Sequence, residues 1–137
     1  MADEKKLGCM VRHVDDMPVE YLEGIRMVRV LAGTGFLNVG CEHVVLKKGQ
    51  RLEPHVHEQA HSCVLILSGS VLVDLEGEQN VARQGHVIYI PPKASHGFDA
   101  VYEDVVLYGF QSPPIVQAQD DVDIRFEGRA ERSRLTS

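Results

Sequence analysis

Tryptophan is absent from this chain, and the longest apolar run, "CVLIL", has only five residues. A run that short cannot cross a bilayer as a helix, which needs about 20 apolar residues. Basic excess is missing too, with a formal net charge of −6. Nucleic acid calls for a basic stripe and anionic membranes attract one, so neither is an expected partner. Cysteine is scarce: Cys9, Cys41 and Cys63 form an odd set with no C-x-x-C pair. That fits free thiols in a reducing compartment better than a disulfide framework. The opening "MADEKKLGCM" lacks the apolar stretch of a signal peptide. A cytoplasmic location is therefore expected.

Helical periodicity is also hard to find. What is present instead is a series of short β-rich runs broken by turn residues. "GIRMVRVL" ends at "AGTG", "FLNVGCEHVVL" at "KKGQ", "CVLIL" at "SGS", "VLVDL" at "EGEQN", "HVIYI" at "PPKAS", and "DVVLYGF" closes the series. Such spacing predicts an all-β antiparallel sandwich or barrel. The chain of 137 residues suits one domain, with 44% apolar and 25% charged residues. The expected division is an N-terminal segment over 1–23, a barrel over 24–112, and a C-terminal edge strand with a polar tail over 113–137. "DVDIRF" is the candidate edge strand, and "EGRAERSRLTS" reads as a frayed end.

"PHVHEQAH", Pro54 to His61, places three histidines within seven residues. In a strand, residues i and i+2 share a face, so His55 and His57 project together. Two imidazoles on one face can hold a metal ion, or they can simply meet solvent on an edge strand. The surroundings carry more. Gly49 opens G-x5-H-x-H-x11-G, which closes on Gly69. Gly85 opens G-x5-P-x4-H, which runs through Pro91 to His96. Turn glycines at these positions suit positive φ or close backbone approach.

These two blocks, and the strands between them from Gly49 to Ala100, resemble the cupin superfamily. The resemblance implies a single jelly-roll barrel with one metal in its mouth, and His55, His57 and His96 fall on the family's three histidine ligands. It also implies a homodimer, with the 1–23 segment as a candidate dimer arm. The chain departs from the pattern where the family usually has a glutamate ligand: counting back from Gly69, that slot holds Ser62. Either the "EQAH" loop slips by one residue and His61 enters as a fourth nitrogen ligand, or strand parity holds. In the second case Ser62, Val64 and Ile66 point inward and His61 points away. Phe98 shares the parity of His96. Ser62, Val64, Ile66 and Phe98 are thus the expected pocket lining, although an ordinary core would place the three apolar ones there too.

An all-histidine site leaves the metal's charge uncompensated, which favours a small anionic or enolisable ligand such as a carboxylate or hydroxy acid. Imidazole suits iron, nickel, copper and zinc alike, so the divalent cofactor, iron, nickel, manganese, copper or zinc, stays unnamed. The resemblance points to a small metalloenzyme, of either a dioxygenase type or a sugar-acid isomerase or lyase type. From a different class comes a non-catalytic cupin that binds or senses a small molecule. No general acid or base stands out; Asp99 and Glu42 are weak candidates.

Overall fold

The structure is a computed structural model and describes residues 8–137. Residues 1–7 of the expected N-terminal segment lie outside the described residues. The strands are β1 (Glu20–Leu22), β2 (Ile25–Arg29), β3 (Gly40–Leu46), β4 (Arg51–Val56), β5 (His61–Ser68), β6 (Val71–Leu75) and β7 (Glu78–Ala82). They continue as β8 (Val87–Ile90), β9 (His96–Asp99), β10 (Val105–Ser112), β11 (Val116–Ala118), β12 (Asp121–Val122) and β13 (Arg125–Phe126). A 3-10 turn over Val14–Asp16 is the helical element among the described residues. No helix among them is long and apolar enough to cross a membrane.

Two antiparallel sheets face each other as a jelly-roll barrel. One runs β1-β2-β3-β10-β5-β8 and the other β13-β4-β9-β6-β7, with β11-β12 as a small separate ribbon. The core lies between them and follows the period-two pattern of the strands. β5 turns Ser62, Val64 and Ile66 inward, and β6 does the same with Val71 and Val73. The turn after β5 depends on Gly69. Its φ is +83°, and a Cβ there would lie 2.2 Å from the Asp104 carbonyl oxygen.

One irregularity decides the site. β4 and β9 pair Leu52 with Phe98 and then His55 with His96, so the register shifts between Leu52 and His55. Pro54 has no N–H to offer a ladder, and one extra residue on β4 lets the strand bulge there. The shift resets parity, so Leu52 and His55 both face the interior. Gly97 lies against this bulge; a Cβ on it would sit 2.9 Å from the Leu52 carbonyl oxygen and 3.0 Å from the Pro54 nitrogen.

The C-terminal end differs from expectation. Residues 127–137 read as a frayed tail, yet Leu135 is buried and Thr136 bridges to Tyr21. One apolar side chain in a polar stretch gives no periodic signal, but it closes the barrel end beside Ile124 and Val122. "DVDIRF" contributes two short pieces, β12 and β13, and β13 pairs with β4 along the histidine strand.

Candidate metal centre

His55 on β4, His57 just beyond it, and His96 at the start of β9 converge inside the barrel. One ring nitrogen from each lies within 4.8 Å of the others, and all three side chains are buried. Their orientation is set by the backbone. His55 Nδ1 is 2.8 Å from the Glu53 carbonyl oxygen, His57 Nδ1 is 2.7 Å from that of Asp123, and His96 Nδ1 is 2.9 Å from that of Ala94. A carbonyl only accepts, so each Nδ1 carries the proton and each Nε2 is left with a bare lone pair. His57 Nε2 and His96 Nε2 are 3.1 Å apart. With both protons already placed on Nδ1, no hydrogen bond joins them, and two lone pairs face each other.

That arrangement fits a cation. Two nitrogens each about 2.1 Å from one ion are themselves separated by roughly 3 Å. The charge state suits it as well. Burial is the main cause pushing all three imidazoles below the ordinary histidine value, with His96 lowered to about 4. Neighbouring imidazoles add to this at His55 and His96, while Asp123 pulls His57 partly back. The three rings are neutral at physiological pH, as metal ligation requires.

The histidines line an internal cavity of about 60 Å³. Larger hollows exist on the surface, one of about 580 Å³ between residues 11–20 and the β2–β3 connection. It contains none of the three histidines, so chemistry rather than size selects the barrel cavity. Ser62, Val64 and Phe98 line that cavity beside the histidines. Ile66 does not; it is packed in the core deeper along β5.

His61 is not brought to the cluster. It stands on the outer side of β5, exposed, with Nδ1 2.8 Å from the Tyr89 hydroxyl. The four-histidine alternative is thereby corrected: parity along β5 holds, and Ser62 occupies the inward position next to it. Asp99 is half-buried on the rim and lies 3.8 Å from Arg51, outside the cavity lining.

One contributor escaped the sequence reading, and a second was only a weak candidate in it. Asp123 is buried at the end of β12 and supplies the carbonyl that orients His57. Its carboxylate also accepts from the backbone N–H groups of Glu58, Gln59 and Ala60, at 2.8, 3.1 and 3.3 Å. It thereby fixes the loop that separates His57 from β5. The second is Glu42 on β3, which lines the cavity from the facing sheet. An isolated acid in a strand gives no sign of which way it points until register is known.

The sequence profile of the cupin domain matches residues 42–108, the span that holds all three histidines. Solved cupin structures share the architecture.

Residues 42–108 belong to the cupin domain family.

One similar structure is KdgF from Halomonas sp., 25% identical over 72% of this chain and 90% of that one, with a TM-score of 0.65. Another is a Cupin 2 conserved barrel domain protein from Salinispora arenicola, 17% identical, covering 76% and 88% of the two chains, TM-score 0.67. A third is a proposed sugar phosphate isomerase from Acidithiobacillus ferrooxidans, 20% identical, TM-score 0.60. It matches 64% of this chain, which spans 58% of that protein's length. No curated protein matches the chain in sequence.

Proposed function

We propose that this cupin is a small metalloenzyme. His55, His57 and His96 hold one divalent ion, and the substrate is a small anionic or enolisable oxygen compound. The observation that carries the reading is the set of three convergent Nε2 lone pairs, each fixed by an Nδ1 hydrogen bond to a backbone carbonyl. Hydrogen bonds of that kind, made by the ring nitrogen away from the ion, orient histidine ligands and hold the right tautomer. A divalent ion there supplies Lewis acidity, polarising a carbonyl or carboxyl oxygen. The chain's own part is to exclude water, keep the imidazoles neutral and present open positions to a ligand.

Between the two chemical branches, the isomerase or lyase type is the one we place first, ahead of the dioxygenase type. The sugar phosphate isomerase assignment carried by a structural relative supports that order at the level of fold only. The runner-up is a binding or sensing cupin that holds its ligand unchanged. Proton NMR of the metal-loaded protein with a panel of 2-hydroxy acids and 2-hydroxy carbonyl compounds separates the two. An enzyme consumes one of them, with loss of turnover after chelation. Uptake of a ligand without conversion across the panel would overturn the enzymatic reading.

We also propose a homodimer in the cytoplasm. Its support is the outer face of the larger sheet, where register brings Tyr108, Phe110, Leu65, Cys63, Val87 and Tyr89 together. Val87, Tyr89 and Phe110 are exposed, an apolar surface that a second copy would cover.

A further inference from the structure

The three histidines all come from the smaller sheet and its connections. Across the cavity, the larger sheet presents a different set. Register pairs Gly109 with both Glu42 and Val64, and Gln111 with both Gly40 and Ser62. Glu42, Gln111 and Ser62 therefore sit on adjacent inward positions of three neighbouring strands, and all three line the cavity. They are 3%, 6% and 3% exposed, so water does not satisfy them from outside.

Within the described residues, Ser62 Oγ and Gln111 Oε1 are buried without a hydrogen-bond partner. Buried polar atoms of that kind cost stability, and leucine or valine at the same places would pack the barrel better. The backbone also makes room for them. A Cβ on Gly40 would fall 2.9 Å from Gln111 Oε1 and 3.1 Å from Glu42 Oε2, and one on Gly109 would fall 2.9 Å from Gln111 Nε2. Two bare positions on β3 and β10 thus leave space for the carboxyl and the amide. No cation is in salt-bridge contact with Glu42 among the described residues; the nearby Arg29 is paired with Glu20 at 2.6 Å.

We propose that Glu42, Gln111 and Ser62 form a second polar wall, which holds the hydroxyl and carboxyl oxygens of a small 2-hydroxy acid across the cavity from the histidines. This assignment rests on the metal-site reading above and names the ligand class of that site. The chemistry on the wall specifies the class. Ser62 offers an O–H donor, and Gln111 Oε1 offers an unused acceptor that a ligand O–H or N–H can satisfy. Glu42 adds a carboxyl to the same wall. A neutral imidazole set with a divalent ion draws a carboxylate. A cavity of about 60 Å³ has room for about four to five water-sized groups. Glu42 also borders a surface groove of about 260 Å³ formed by residues 29–42 and 114–117.

The test uses glycolate, which has about five non-hydrogen atoms, with acetate as the comparator lacking the hydroxyl. Titration calorimetry is run on metal-loaded wild type, Ser62→Ala and Gln111→Leu, with metal content measured on each by elemental analysis. Ser62 Oγ has no protein partner to lose, so Ser62→Ala keeps the fold and reports ligand contact alone. Gln111→Leu reports the acceptor and is read only alongside a matching circular dichroism spectrum. The expected result is unchanged metal content, tighter glycolate than acetate in wild type, and a loss of about five- to tenfold in glycolate affinity in each variant. Equal affinity for glycolate in wild type and Ser62→Ala, or no preference for glycolate over acetate in wild type, overturns the assignment while leaving the metal site standing. Wild type that takes up no metal overturns the metalloenzyme reading, and this assignment with it.

Discussion

Replacing Glu42 with glutamine should change how stability depends on pH, and the structure sets the size of the effect. Burial is the main cause raising the Glu42 carboxyl from 4.5 to about 8, against smaller downward pulls from a Gln111 hydrogen bond and the Arg29 charge. The groups around it are Gln111 and Ser62 on the same wall, His55, His57 and His96 across the cavity, and Arg29 behind it. In the unfolded chain the carboxyl ionises near its ordinary value, while in the folded chain it holds its proton. Above pH 4.5 the unfolded state therefore binds fewer protons, and stability falls as pH rises until the folded carboxyl ionises near 8. The buried histidines act in the opposite sense. Their lowered values remove stability as pH falls through 6.5, with a tail reaching about one unit above it, where the unfolded imidazoles still bind protons. Cys41, pushed up to about 12 by burial and then by the Glu42 charge, acts only above its ordinary value of 9.

Between pH 6.5 and 8 the two effects oppose each other, so the Glu42 contribution is read as the difference between wild type and Glu42→Gln, which is neutral at that position in both states. Over about 1.5 pH units, at up to about 1.4 kcal/mol per unit, metal-free wild type should lose on the order of 1.5 kcal/mol of unfolding free energy relative to Glu42→Gln. Urea denaturation of chelator-treated protein at pH 6.5, 7.2 and 8 measures both slopes. Equal slopes for wild type and Glu42→Gln would refute the reasoning, because they would mean that Glu42 ionises in the folded barrel as it does in water.

Other outcomes follow from single contacts. Asp123→Ala removes the acceptor of three backbone N–H groups in the 58–60 loop and should destabilise the protein by about 2–3 kcal/mol, read by denaturant melts, while loosening metal binding through His57. Gly69→Ala meets the Asp104 carbonyl at 2.2 Å and a left-handed φ, so its soluble yield and thermal midpoint should both collapse. A charge in the apolar outer face, as in Phe110→Glu with Val87→Glu, should shift analytical ultracentrifugation from dimer to monomer without changing metal content. A single species at wild-type mass in that variant would refute the proposed interface.

Parts of this architecture were readable in one dimension. The H-x-H pair announces a shared face because strands have a period of two, and the glycine-proline punctuation before His96 marks the return strand. The same parity argument resolves His61 from Ser62, once β5 is seen to begin at His61 rather than after it. Other parts depend on three-dimensional register. The Pro54 bulge sets His55 opposite His96, and no local signal distinguishes a bulging proline from a strand-ending one. Glu42 and Gln111 are an acid and an amide separated by most of the chain, joined only through the pairing of β3 with β10. Asp123 acts on His57 through a backbone carbonyl, which every residue possesses, so its identity carries no hint of that role. The C-terminal end is held by Leu135 and one bridge to Tyr21, too sparse a pattern to show as periodicity.

The central claim is that three histidines of the barrel interior hold one divalent ion. Elemental analysis of untagged wild type, His57→Ala and His61→Ala after reconstitution addresses it directly. The expected result is about one metal ion per chain in wild type and His61→Ala, and loss of that ion in His57→Ala. No metal above background in folded wild type, or equal metal content in all three proteins, would contradict it.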